Sequence, residues 1–321
     1  MIVSISVSGR LRGGPEPGGS DGSIRGRSDL GEPCSTMRTD RACPAGISHR
    51  RVSRWALALL VAAIGAVAGS PAAAAPGQSP PGPRDQDRIR SKTDDLTYRP
   101  TVLIRRGGSQ GSGTIIASVE GESLVLTASH VVAEAGPISV ELRPYNLGLE
   151  RSRGGAGGRP RHVSAHLAAI DRAADLAILR IVDLEALPYV ARLSPSRTRR
   201  EPVVDSTVVS IGIDLGRQLS GWSSRLVEAL WFELNDNREE RLFLITARPP
   251  ENGRSGGGLF LPDGELVGVC IGHAELVRGR RQGVFASRES ILQLLDASDL
   301  TRVLARSERH RTRARVANRL R

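Results

Sequence analysis

Aromatic residues are scarce: three Trp, three Tyr and four Phe make up 3% of the 321 residues. A core must therefore be packed from small aliphatic side chains. Lysine is almost missing, with Lys92 alone among 45 basic residues. Arginine codons are GC-rich and lysine codons are not, so the imbalance fits a GC-rich, bacterial genome. Cysteine is limited to Cys34, Cys43 and Cys270. Only Cys270 lies in the body of the chain, which excludes a disulfide-stapled scaffold. Its apolar surroundings, Leu266-Val267-Gly268-Val269-Cys270-Ile271, mark it as a small core hydrophobe. With 25% charged residues the chain is neither a multi-pass membrane protein nor collagen-like nor wholly disordered.

The net charge of +11 belongs to the ends. Residues 1–75 hold nine Arg against five acids, and residues 301–321 hold eight Arg against Glu308 alone, leaving 76–300 neutral. A basic groove for nucleic acid across the fold is disfavoured, and no nucleic-acid partner is expected.

Residues 55–68 form an uncharged apolar run of 14, preceded by Arg50, Arg51 and Arg54 and followed by Ala72-Ala73-Ala74-Ala75. Positive flank, short apolar stretch and small-residue site make residues 37–75 a secretory signal or an uncleaved N-terminal anchor. The run falls short of the roughly 20 residues that cross a bilayer. Residues 1–36, rich in Gly, Ser and Arg, are expected to be a gene-model extension ahead of Met37 or a disordered arm, and 76–97 a flexible linker. The protein is expected to be exported, to the periplasm or beyond.

From 98 to 290 short alternating or apolar runs are separated by turn signals. Strands are expected at 101–105, 113–118, 123–128, 137–143, 163–170, 176–182, 206–213, 225–233, 241–247, 257–261, 265–271 and 283–286. A dozen short strands with 36 Gly and 19 Pro in the chain read as an all-β sandwich or pair of barrels. Residues 144–161 read as a Gly/Arg loop. After Ser287 the spacing of Ile291, Leu294, Leu295, Leu300, Val303 and Leu304 becomes helical, so 291–321 is expected as a C-terminal helix and an arginine-rich tail. The apolar residues thin out after Leu304, so the tail is expected to be frayed, an electrostatic anchor for an anionic membrane surface.

The sharpest chemical feature is Gly253-Arg254-Ser255-Gly256-Gly257. A serine nucleophile needs an exposed position, a base for its proton, and amides to hold the oxyanion, and flanking glycines permit the tight turn that supplies them. The pattern also satisfies G-x-S-x-G, but that elbow leads into a helix with its acid and histidine following. Here Ser255 leads into a hairpin with an Asp263-Gly264 turn, and only 66 residues follow it. Searching upstream instead, His130 closes the run Leu124-Val125-Leu126-Thr127-Ala128-Ser129-His130, and Asp175 opens Asp175-Leu176-Ala177-Ile178-Leu179.

At these residues the chain resembles the trypsin-like serine peptidases of the chymotrypsin fold, in their HtrA/Deg branch. Gly111-Ser112-Gly113-Thr114-Ile115-Ile116, Leu126-Thr127-Ala128-Ser129-His130-Val131-Val132, Asp171-x-x-x-Asp175-Leu-Ala-Ile-Leu and Gly253-x-Ser255-Gly-Gly stand in the family's order. The resemblance implies two perpendicular six-stranded β-barrels with the active site between them. It implies Ser255 as nucleophile, His130 as general base and acid, Asp175 as its orienting partner, and the amides of Gly253 and Ser255 as oxyanion hole. Arg254 departs from the family's Asp or Asn, and the PDZ domain common in that branch is not expected after residue 290.

The substrate pocket is expected around Pro249, Ile271, Gly272 and His273, favouring small or aliphatic side chains, with an acidic preference through His273 as the variant reading. His162 and His166 lie in a strand-like stretch, where they would stand about 13 Å apart, too far to share an ion. The expected activity is hydrolysis of polypeptide substrates with neither metal nor cofactor. The reading from another class is an inactive trypsin-like scaffold that binds without catalysis.

Overall fold

The computed structural model describes residues 3–5, 93–149, 159–182, 184–194, 202–234, 239–277 and 280–319. The signal-like stretch 37–75 lies outside them, as does most of the expected linker. Thirteen strands are β1 (Val3–Ile5), β2 (Thr101–Arg106), β3 (Ser109–Val119), β4 (Glu122–Ala128), β5 (Ile138–Leu142), β6 (Arg161–Asp171), β7 (Leu176–Val182), β8 (Thr207–Asp214), β9 (Gln218–Glu233), β10 (Glu240–Thr246), β11 (Gly258–Phe260), β12 (Leu266–Val277) and β13 (Arg280–Ser287). Helices are α1 (Asp94–Thr97), α2 (Pro144–Leu147), α3 (Arg288–Ala297) and α4 (Thr301–Arg319).

Each of the twelve expected strands is present. β2, β3, β4, β7, β6 and β5 pair in that order into a closed barrel. β12, β11, β8, β9, β10 and β13 form the second sheet, and β13 pairs back onto β12. β-branched and aliphatic runs such as Thr101-Val102-Leu103-Ile104 and Leu176-Ala177-Ile178-Leu179 are buried along their length because a strand inside a barrel wall is covered on both faces. With few aromatics, the core on the two faces of the barrel wall is packed from aliphatic side chains such as Ile104, Ile115, Leu124, Val125, Ile178 and Leu179. The stacked Phe232–Phe243 pair, ring centres 4.2 Å apart, is confined to the second sheet.

The expected N-terminal arm and linker each contain structure. Val3–Ile5 pairs in parallel with Gly272–Ala274 of β12. The linker reading is corrected at its end by α1, which Arg99 fixes: its guanidinium bonds Asp95 at 2.7 Å and the Tyr145 carbonyl at 2.9 Å, and lies over the Tyr189 ring. The loop expected at 144–161 begins with α2 and ends where β6 starts.

The single C-terminal helix is corrected to two. Ser287 caps α3 by accepting the Ser290 N–H, and Ile291, Leu292, Leu294 and Leu295 are buried. The arginine-rich tail is not free either. α4 continues to Arg319 and buries Val303, Leu304 and Ser307. Ser307 Oγ accepts the buried Ser118 N–H of β3 at 2.9 Å, and Arg311 donates to the Val190 carbonyl. Helical spacing thus buries one face even in an arginine-rich segment. Ser307→Ala leaves a buried N–H without its partner and is expected to cost about 1–3 kcal/mol, read as a lower urea midpoint at constant m-value. A loss under about 0.5 kcal/mol would show that α4 contributes little to the fold.

Candidate active site

β4 delivers the chain to a short 3-10 helix, Ser129–Val132, that carries His130. Asp175 stands in the turn between β6 and β7, with φ of +52°. That turn is shaped by Asp171, whose Oδ1 accepts the N–H groups of Ala173 and Ala174 at 2.9 and 3.1 Å, while Arg241 holds its other oxygen. A carboxylate accepting from the backbone two and three residues on closes a turn without regular structure.

Asp175 is buried and fully used. Its Oδ1 accepts the His130 N–H at 2.9 Å and the Ser129 hydroxyl at 2.6 Å, and its Oδ2 lies 2.6 Å from His130 Nδ1. An ionised carboxylate only accepts, so the neutral imidazole carries its proton on Nδ1 and leaves the lone pair on Nε2. Nε2 is buried and has no hydrogen-bond partner among the described residues. An unsatisfied buried nitrogen costs about 1–3 kcal/mol, which a chain retains where the atom has a task.

The 249–257 loop joins β10 to β11. Gly256 packs against the Ser112 carbonyl and the Thr127–Ala128 end of β4, which brings Ser255 to the strand that presents His130. The backbone is pinned at successive carbonyls: Asn252 accepts from Leu215 N–H at 2.6 Å, Gly253 from Ser112 Oγ at 2.9 Å, Arg254 from Gly257 N–H at 2.8 Å and Ser255 from Ser112 N–H at 2.7 Å. In a trans peptide the carbonyl and the following N–H point opposite ways. The bonds to the Asn252 and Arg254 carbonyls therefore turn the N–H groups of Gly253 and Ser255 away from those partners.

One expectation is corrected here. The nucleophile was expected at an exposed position, yet Ser255 is completely buried.

Pro249 is half-buried in the loop after β10, while Ile271, Gly272 and His273 follow one another along β12. Cys270, just before them, exchanges backbone hydrogen bonds with Gly256 and Gly257, which fixes β12 beside the Ser255 loop. The Cys270 thiol is pushed up to about 12 by burial and is inert. His273 is held below the ordinary imidazole range by burial first and by the nearby Arg281 second. It is neutral at pH 7 and can offer a hydrogen bond but not a cation to an acidic side chain. Gly272, His273 and Ala274 are paired with β1. His162 and His166 both lie on β6, the strand setting expected of them.

Sequence reasoning missed the partners of Arg254. Its guanidinium is buried, donates to both carboxylate oxygens of Asp214 at 3.0 and 2.7 Å, to the Ser210 carbonyl at 3.0 Å and to the Ser220 hydroxyl, and lies over the Trp222 ring. These residues come from the β8–β9 hairpin, 30 to 45 positions earlier, and no local pattern points to them.

The profile of the trypsin-like peptidase domain matches residues 111–269. Over 164 residues the chain is 30% identical to a Do-like HtrA serine protease of Bacillus subtilis, covering 50% of this chain and 32% of that protein. Over 195 residues it is 28% identical to a DegP-like periplasmic serine endoprotease of Rickettsia conorii, covering 58% of this chain and 34% of that protein. The chain thus spans about a third of the length of these relatives. Among solved structures, a Mycobacterium tuberculosis protease, Rv3671c, in the inactive form of a serine-to-alanine mutant, superposes with a TM-score of 0.50 at 20% identity, covering 70% of this chain and 96% of that one. It shares the fold. A barrel, a second six-stranded sheet, and the family profile running from Gly111 through the Ser255 loop into β12 together identify residues 111–269 as a trypsin-like peptidase domain, related to the HtrA and DegP serine proteases.

Proposed function

We propose that the chain is an exported serine endopeptidase working through His130, Asp175 and Ser255. The observation that carries this reading is the Asp175–His130 contact of 2.6 Å, which fixes the imidazole tautomer, together with a buried Nε2 that has no hydrogen-bond partner among the described residues. Ser255 Oγ attacks the peptide carbonyl as His130 Nε2 takes its proton. The tetrahedral oxyanion is held by the N–H groups of Gly253 and Ser255. Collapse expels the amine, protonated by His130, and leaves an acyl-enzyme. Water then attacks with His130 as base and releases Ser255. Ile271, Gly272 and His273 of β12, with Pro249, would line the pocket for a small or aliphatic side chain. A neutral His273 argues against charge-based selection of acidic residues.

The full chain is expected to react with a fluorophosphonate probe, and Ser255→Ala to abolish the reaction. Labelling that survives Ser255→Ala would overturn the nucleophile, and folded protein that does not label at all would favour the inactive scaffold. For the tail, exposed Arg302, Arg306 and Arg309 on α4 present charge to an anionic surface. Each contributes at most about 1 kcal/mol, and salt screens it. The full chain should sediment with anionic vesicles at low salt and leave them at high salt. Salt-independent sedimentation, or none, removes the anchor.

A further inference from the structure

Building on the serine peptidase reading above, we propose that Arg254 is a positioning residue: the pairing of its buried guanidinium with Asp214 holds the amides on both sides of it in their oxyanion-binding orientation. Arg254 lies between the two residues whose N–H groups form the proposed hole, so any rotation of its backbone moves both. Its side chain is completely buried and reaches down to the β8–β9 hairpin, where a planar guanidinium meets a planar carboxylate through two bonds of 3.0 and 2.7 Å. Ser220 closes the arrangement by donating to Asp214 and accepting from Arg254.

The same hairpin acts on the loop a second time. Asp214 is followed by Leu215, whose N–H holds the Asn252 carbonyl at 2.6 Å. Side chain and carbonyl are thus gripped by adjacent residues of one turn, on either side of Gly253. Leu215 itself sits at φ +52°, a conformation that a branched side chain adopts only when its surroundings hold it there. Ser112 completes the set from the barrel, donating its hydroxyl to the Gly253 carbonyl and accepting the Ile213 N–H. The loop is therefore braced from within the folded domain, with the cation on the nucleophile loop and the anion on the hairpin.

A charged pair with one partner completely buried and the other 19% exposed is a poor source of stability, because desolvation of the guanidinium offsets much of the attraction. Geometry is what it can supply. Arg288 and Glu265 form a fully buried pair, at 3.2 Å, linking α3 to the β11–β12 turn, outside the 249–257 loop. That pair separates positioning from mere support.

The test measures fluorophosphonate phosphonylation of the full chain, with folding followed by circular dichroism and thermal melting. Arg254→Met, which keeps length and loses charge, is expected to slow the maximal labelling rate by about 100-fold, with little change in the half-saturating probe concentration. Arg254→Lys should recover part of the rate, since an ammonium reaches Asp214 without the bidentate geometry. Arg288→Met should lower the melting temperature at least as much while labelling at the wild-type rate. If Arg254→Met does not fold, Asp214→Asn decides on the same terms. Labelling within about threefold of wild type for Arg254→Met, or for Asp214→Asn where that variant decides, overturns the inference and leaves the peptidase reading standing, as does equal slowing in Arg288→Met. A wild-type chain that never labels overturns the peptidase reading itself.

Discussion

Asp175→Asn is expected to lower kcat/KM toward a peptide substrate by about 10⁴-fold with the fold intact, the size of loss associated with this substitution in trypsin-like triads. The reason lies in which oxygen is replaceable. Oδ1 accepts two donors, the His130 N–H and the Ser129 hydroxyl. In asparagine the carbonyl oxygen must keep that place, because an NH2 group there would face two donors. The NH2 group is then set against His130 Nδ1 and needs an acceptor. The imidazole responds by moving its proton to Nε2, where the base should have been. Backbone geometry is undisturbed, since asparagine tolerates φ of +52° as well as aspartate does. Fluorophosphonate labelling rate and melting temperature together check the prediction. A loss under about tenfold in a folded protein would mean that His130 is not oriented through Asp175.

The all-β architecture was legible because burial in a barrel wall leaves a direct trace. Runs such as Leu124-Val125-Leu126-Thr127 and Leu176-Ala177-Ile178-Leu179 alternate with turn residues, and each became a strand. Strand ends were less so: β9 begins at Gln218, well before the expected 225, because a polar face exposed to solvent hides the alternation. The candidates His130, Asp175 and Ser255 stand out for a different reason, as their neighbours perform backbone tasks that few residues can perform. Arg254 shows the limit. Read locally it is only a departure from the family's pattern; in three dimensions its guanidinium is paired, because its partners lie on another hairpin. The burial of Ser255 had no local signal either, and the docking of α4 depends on Ser118, 189 positions away from Ser307.

The glycine that follows the serine gives the largest expected effect on stability. Gly256 sits at φ +84°, and a Cβ there would come within 3.0 Å of the Ser112 carbonyl oxygen and of Thr127 Oγ1. Those two atoms are bonded to each other at 2.8 Å, so the methyl group would be driven into an existing buried hydrogen bond. Neither atom can retreat easily: one is backbone of β3, the other a β-branched side chain of β4. Three costs combine. The left-handed conformation costs an alanine about 1 kcal/mol, the strained hydrogen bond about 1 kcal/mol, and overpacking against rigid neighbours about 1–3 kcal/mol. A domain stable by about 5–15 kcal/mol would lose a large part of its margin. Gly121 supplies the control, because its φ of +78° is nearly the same while a Cβ would meet nothing within 4 Å. Gly121→Ala should therefore cost only the conformational part, about 1 kcal/mol. Urea unfolding of both variants separates backbone strain from collision. If Gly256→Ala is no more destabilising than Gly121→Ala, the tight seat of the Ser255 loop against β3 and β4 does not exist in solution. The contact that seats the Ser255 loop would then have to be sought elsewhere.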